Sequence, residues 1–432
     1  MRLAAVLPAS GQHMGAWRHP DGTPEATIDV RVYHELAHIA ERGKFDFIFV
    51  ADSLGIPDWP LDVVCRSGFM TFVLDPLTMM ANIAATTSKI GFVVTSSSTY
   101  WHPYQIARVI ASLNLVSHGR AGWNIVTSLS DTEAALFGLD EQIPHDDRYV
   151  RATEFVDVVK RLWNTGQPEL YVGDKASGVL FDSTKLNQLD FQGKFFKVRG
   201  LLNVPQPYGP PILVQAGASG PGRQLAASVA DVIFSSAPTI ELALKYANDV
   251  RRRAAEAGRP ENSTRILPGF VPVIGTSEAH AQEKSAELDA LLDEQVAIGL
   301  LSHIVDVDLT GYDLDVAFPD FSAQSNRSQS SATLLYQMAQ PENLTIRQVA
   351  ERCAVGLTHT RVSGTPTQVA DYMEEWFTRG ACDGFLFAPM LTPSHLAEFV
   401  DLVVPELQRR GLFRTEYEAA TLRGNLGLAS GR

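Results

Sequence analysis

The chain has 432 residues, 45% of them hydrophobic and 20% charged, and a formal net charge of −13. That length allows one large α/β domain or two ordinary ones, and the acidic balance argues against a nucleic-acid partner, whose phosphates call for a basic surface. No apolar run approaches the roughly 20 residues of a membrane helix, and Cys65, Cys353 and Cys382 are too scattered for a disulfide framework or a paired metal site, so a cytoplasmic protein is expected.

Strand and helix signals alternate from the first residues. The apolar run 3–7 suits a first strand better than a secretion signal, and 33–42 has helical spacing. Then come a strand over 45–50 (Phe-Asp-Phe-Ile-Phe-Val), a helix over 76–87, a strand over 90–94, a helix over 103–115 and a strand over 123–126. A long amphipathic helix spans 148–163. After an interruption the series resumes with strand 212–215, helix 223–229, strand 232–234, helix 240–257, strand 266–274 and helix 278–292. It closes with helix 367–379 and strand 384–387. Eight strands, most followed by a helix, predict a single (β/α)8 TIM-barrel domain over 1–432. A bare barrel takes about 250 residues, so roughly 180 remain for insertions and a tail. Residues 164–207, with the aromatic run 191–196, and residues 295–355, with the polar run 322–331, read as insertions. Both are expected at the C-terminal face of the strands, where such segments shape or cover a site. The polar run is expected to be mobile. The tail 409–427 reads as helical and then Gly-rich, available to pack on a partner copy of the chain.

The informative stretch is Ser117 to Ser128, Ser-His-Gly-Arg-Ala-Gly-Trp-Asn-Ile-Val-Thr-Ser. Gly119 and Gly122 permit a tight turn, Trp123, Ile125 and Val126 form a buried strand, and Asn124, Thr127 and Ser128 supply polar groups towards its C-terminal end. A core strand and a platform for a flat polar ligand are both open readings. The same two readings hold for the hydroxyl run Thr95 to Tyr100 at the end of the third strand, because buried hydroxyls need partners. Asp52 follows the second strand, where barrel enzymes project functional groups, or it caps the next turn. His145 and Tyr149 are four apart and share one helical face. Gly217 to Arg223 follows a strand and opens a helix; backbone N–H groups, Ser219 and the nearby Arg223 suit a phosphate. Gln12 to His19 follows strand one and reads as a pocket wall. His34-Glu-Leu-Ala-His38 matches a zinc-protease pattern, but both histidines lie opposite Leu36 on an outer helix, so no metal is assigned and a metal hydrolase stays a distant rival.

Taken together, Gly-Arg-Ala-Gly-Trp-Asn-Ile-Val-Thr-Ser (119–128), Phe-Val-Ala-Asp-Ser (49–53), Ser-Ser-Thr-Tyr-Trp-His-Pro-Tyr (97–104), His-Asp-Asp-Arg-Tyr-Val-Arg-Ala-Thr-Glu-Phe (145–155), Gln-Ala-Gly-Ala-Ser-Gly (215–220) and Gly-Tyr-Asp-Leu-Asp (311–315) resemble the bacterial luciferase-like superfamily. The resemblance is to its nitrilotriacetate monooxygenase branch, to which pristinamycin synthase and dibenzothiophene-sulfone monooxygenase also belong, and it spans nearly the whole chain. It implies a TIM barrel that binds FMN as FMNH2, delivered by a separate NAD(P)H-dependent flavin reductase. It implies transfer of one oxygen atom from O2 to a small organic substrate by way of a C4a-(hydro)peroxyflavin. Carried over by motif, the cofactor contacts are Asp52, Ser98, Asn124, His145, Tyr149 and Ser219, and His13 and His102 are the candidate acid–base groups. A homodimer or homotetramer is implied. The alternatives are an F420-dependent oxidoreductase on the same fold and a flavin-binding protein without turnover of its own.

Overall fold

The computed structural model describes residues 1–68, 71–260, 262–324 and 329–429. Eight parallel strands pair in chain order and close on themselves: β1 (Arg2–Val6), β2 (Phe47–Val50), β3 (Gly91–Ser97), β4 (Ala121–Val126), β5 (Ile212–Gln215), β6 (Val232–Ser235), β7 (Arg265–Ile274) and β8 (Gly384–Phe387). β8 returns to β1 with Gly384 opposite Arg2, and β6 meets β7 with Val232 opposite Arg265. The expected barrel is therefore present, with every expected strand within a few residues of its place.

Side-chain alternation along each strand divides the apolar residues into two layers. Val6, Phe47, Phe49, Val93, Val214, Phe234 and Leu386 belong to the cluster that fills the barrel, with the Phe49 and Phe234 rings 4.8 Å apart. Their strand neighbours Ile48, Phe92, Trp123, Ile125 and Leu213 pack outward under the helices. The outer wall comprises α1 (Val30–Arg42), α2 (Pro76–Ala84), α3 (Pro103–Val116), α4 (His145–Trp163), α5 (Gly220–Val229), α6 (Ile240–Glu256) and α7 (Glu278–Asp289). Caps explain several helix starts. Asp75 accepts from the Thr78 N–H ahead of Pro76, and Thr239 accepts from Leu242.

Three further helices, α8 (Glu294–Val305), α9 (Gln329–Ala339) and α10 (Ile346–Gly356), lie in the 295–355 segment. They share one apolar cluster with Met14, Trp59, Val63 and Val64 from the loops after β1 and β2, so they stand over the C-terminal end of the strands. Residues 325–328 of the polar run lie outside the described residues. A ninth strand, Thr360–Gly364, runs beside the upper half of β7 before α11 (Pro366–Thr378). The 164–207 segment lies in the α4–β5 connection and carries two antiparallel hairpins, Tyr171–Asp174 with Val179–Phe181 and Leu189–Gln192 with Lys197–Gly200. The second is held to α4 by Glu154, whose carboxylate accepts the N–H groups of Lys194, Phe195 and Phe196 at 2.8–2.9 Å.

The tail is helical at Val404–Arg409 and Leu422–Asn425 and irregular between. It docks on its own barrel. Leu422 and Leu426 join the inner cluster, Arg414 pairs with the fully buried Asp46, and Arg423 pairs with Asp231 at 2.8 Å.

Candidate active site

The inward face of β3 and β4 carries a polar relay at the C-terminal end of the barrel. Thr95 and Asn124 are opposite each other in the register, both almost fully buried. Thr95 Oγ1 donates to the Val50 carbonyl at 2.7 Å, so its proton is committed and it can only accept from Asn124 Nδ2, 3.1 Å away. That fixes the amide: Asn124 Oδ1 is buried with no hydrogen-bond partner. An orphaned acceptor in a barrel interior is costly unless a ligand donor meets it. Three further hydroxyls of the run are satisfied within the protein, while the buried Tyr100 hydroxyl has no hydrogen-bond partner. Ser97 bonds to Ser128 at 2.8 Å, Ser98 donates to the Val126 carbonyl at 2.9 Å, and Thr99 donates to Thr127 at 2.7 Å. Ser98 thus keeps only its lone pairs for a ligand.

Asp52 follows β2, half-buried, and burial first, then Asp75 and Glu133, push its carboxyl up to about 7. Glu133 is a residue that the sequence reading missed. One of its oxygens accepts the Leu54 N–H at 3.2 Å and the other accepts Leu129 at 2.8 Å and Ser130 at 3.2 Å, so it ties the loop after β2 to the loop after β4. The available signal was the Ser130-x-x-Glu133 capping box.

The third feature is the turn between β5 and α5. Ser219 caps α5, its hydroxyl accepting the Gly222 N–H at 3.2 Å. Gly217 and Gly222 approach so closely that a Cβ on Gly217 would lie 2.6 Å from the Gly222 Cα. A Cβ on Gly222 would lie 3.0 Å from Ser219 Oγ and 3.1 Å from the Tyr149 hydroxyl. Tyr149 therefore comes from α4 to the start of α5, and the His145 ring lies 5.0 Å from its ring. Pro221 has no N–H and the Gly222 N–H is taken by Ser219, so the Gly220 N–H and the two hydroxyls are the groups that make this turn a candidate anion cradle. The Arg223 guanidinium donates to the Ala218 carbonyl of this turn at 2.8 Å and pairs with Asp249 on α6 at 3.3 Å.

The structure thus brings Asn124, Thr95 and the end of β2 together, and joins His145, Tyr149 and Ser219 at the α5 turn. His13 and His102 stand apart. His13 has a fully buried side chain; Nδ1 accepts the Gly15 N–H at 3.0 Å and Nε2 lies 3.4 Å from Asp289 at the end of α7. His102 is exposed and caps α3, Nδ1 accepting from the Tyr104 N–H at 3.2 Å. His102 thus has a place as a helix cap, whereas the buried His13 Nε2 has no hydrogen-bond partner and only the nearby Asp289 carboxylate. His34 and His38 lie on the outer wall, bonded to Asn82 and Thr86 beside α2. The motif arginine, Arg120, is also structural: it is buried and donates to the Ser117, Ile90, Ala84 and Thr87 carbonyls. Beside the relay, a cavity of about 160 Å³ opens between β1, β2 and the loops that follow them, and His359 forms part of its wall.

A family model described as luciferase-like monooxygenase matches residues 12–383. The chain is similar to nitrilotriacetate monooxygenase component A of Aminobacter aminovorans, 40% identical with 99% of this chain and 96% of that relative covered. It is also similar to dibenzothiophene-sulfone monooxygenase of Rhodococcus erythropolis, 39% identical with 96% and 93% covered. The crystal structure of DmoA from Hyphomicrobium sulfonivorans matches with a TM-score of 0.89 at 32% identity, over 99% of this chain and 92% of that one. With a family match over most of its length and relatives aligned nearly end to end, this barrel belongs to the luciferase-like monooxygenases.

Proposed function

We propose that the protein is the oxygenase component of a two-component system, taking FMNH2 from an NAD(P)H-dependent flavin reductase and inserting one oxygen atom of O2 into a small organic substrate. The observation that carries this reading is the orphaned Asn124 Oδ1 on the barrel interior, joined by the Ser219–Tyr149 cradle at the start of α5. The donor set fits FMN. A planar ring with an N–H edge meets a buried carbonyl acceptor, and a terminal phosphate meets the helix start and its hydroxyls. Reduced flavin, when bound, supplies the activation of O2.

The chain's own residues have three tasks in this reading. Asn124, oriented by Thr95, and Asp52, braced through Glu133, align the ring edge. Tyr149, His145 and Ser219 hold the phosphate end. The apolar walls of the cavity and the helical cover of α8–α10 exclude bulk water from the reacting atoms. Asp52, with its carboxyl raised to about 7, can hold a proton at Oδ near neutral pH and donate a hydrogen bond. Assembly as a homodimer or homotetramer belongs to the same proposal and rests on the family resemblance.

The test is direct. Purified protein supplied with FMN, a flavin reductase, NADH and O2 should consume O2 beyond the reductase background when a substrate is present, and should bind FMN but not F420. Loss of both the binding and the substrate-dependent uptake would sink the reading.

A further inference from the structure

The cavity beside the relay is built from apolar side chains. Phe49, Val50, Leu74, Leu357 and Leu386 dominate its walls, with Gln12, Tyr33 and His359 as the main polar groups. Among the described residues no Lys, Arg, Asp or Glu lines it. A buried carboxylate without a partner is strongly disfavoured. Among the described residues the cavity therefore has no cationic side chain to pair with an anionic guest.

His359 is the exception in character. It reaches the barrel interior because β7 has Gly269 at the inward-facing position: a methyl group there would collide with the imidazole. Its Nδ1 is shut off from solvent and has no hydrogen-bond partner, while other parts of the residue edge the cavity. Burial holds the ring neutral, down to about 4. A neutral imidazole has one N–H donor and one acceptor nitrogen, and it suits a neutral polar guest. The neighbouring Thr358 hydroxyl bonds to Ser236 at 2.9 Å, which fixes the approach of the segment. Leu357 sits at a φ of 55°, an unusual conformation for a non-glycine residue.

We infer that this cavity is the substrate chamber, that it selects small uncharged organic molecules over polycarboxylates, and that the His359 imidazole is the hydrogen-bonding group that orients the substrate's polar atom. The inference rests on the monooxygenase reading for what happens to the substrate, but binding to the chamber does not require flavin.

Calorimetric titration of the full chain, with and without FMN, tests it, using dibenzothiophene sulfone as the uncharged probe and nitrilotriacetate as the anionic one. The sulfone should bind at least tenfold more tightly. His359→Phe, which keeps a ring and removes both nitrogens, should weaken sulfone binding about fivefold or more, with FMN affinity and melting temperature nearly unchanged. His359→Gln should recover part of the loss. Should His359→Phe fail to fold, the probe preference of the parent and the His359→Gln titration still decide. Equal or tighter binding of nitrilotriacetate, or sulfone affinity indifferent to both variants, overturns the inference. Failure of FMN to bind while the sulfone still binds with the expected preference overturns the monooxygenase reading and leaves the chamber standing.

Discussion

At the residue scale the decisive atoms are few, and Asn124 is the clearest. Asn124→Ala removes the orphaned acceptor and the donor to Thr95 without opening the outer core, since Trp123 and Ile125 on the opposite face pack on α3 and α4. FMN affinity should fall roughly fivefold to tenfold, about the value of one buried hydrogen bond, while the melting temperature stays within a few degrees; fluorescence titration and circular dichroism check both. Asp52 makes a pH prediction. Its folded pKa, about 7, lies above the unfolded value near 3.9. The folded state therefore binds the extra proton, and stability from this group is full below pH 4 and lost as pH rises to about 7. Asp52→Asn should flatten the fall in melting temperature between pH 5 and 8, and an unchanged pH profile would show that the carboxyl is not held up in this way. Asp52, Asn124, Tyr149 and Ser219 are legible in the sequence because they sit at strand ends and helix starts that the hydrophobic pattern locates. Glu133 and His359 are not, since a loop brace and a residue reaching across a glycine depend on neighbours distant in sequence.

At the element scale, loops are fixed by buried or half-buried charge accepting backbone N–H groups. Glu41 accepts Ser88, Lys89 and Ile90 ahead of β3, as Glu154 does for the 189–200 hairpin. Glu154→Ala should free that hairpin and speed its cleavage by a protease in limited digestion, with the barrel core resistant. The tail is pinned by Arg414 to Asp46, which also accepts the Leu3 N–H at 2.9 Å. Arg414→Ala leaves Asp46 buried and unpaired and should cost about 3–5 kcal/mol in denaturant unfolding. Adding Asp46→Asn should recover part of that loss, because the stranded charge is gone. Additive losses in the double variant would contradict the pairing. The strands and wall helices were legible from period-2 and period-3.6 patterns, whereas the two hairpins and the Thr360–Gly364 strand were not. These strands are only three to five residues long and most mix polar with apolar residues, so each offers too short a pattern to stand out in the sequence.

At the scale of the whole molecule, a bound cofactor should stabilise the native state as a unit. FMN at about 100 times its dissociation constant adds roughly 2.7 kcal/mol, and thermal unfolding should shift upward by a few degrees; F420 at the same concentration should leave it unmoved. The chain is acidic, with a net charge of −13, yet none of the described residues that line the chamber is charged. The order of strands and helices, the closed barrel and the polar groups at its C-terminal end are matters of local periodicity and motif, so the amino-acid sequence by itself determined them. Three things were decided only by tertiary structure. Arg120 is held by the Ala84, Thr87 and Ile90 carbonyls and Arg223 by Asp249, all distant in sequence but close in space. His13 and His102 became a buried brace and a helix cap. His359, more than 80 residues beyond Gly269 in the chain, entered the barrel because a glycine on β7 leaves the space. Each outcome depends on which groups meet across the barrel mouth, and contact between distant segments has no signature in local sequence.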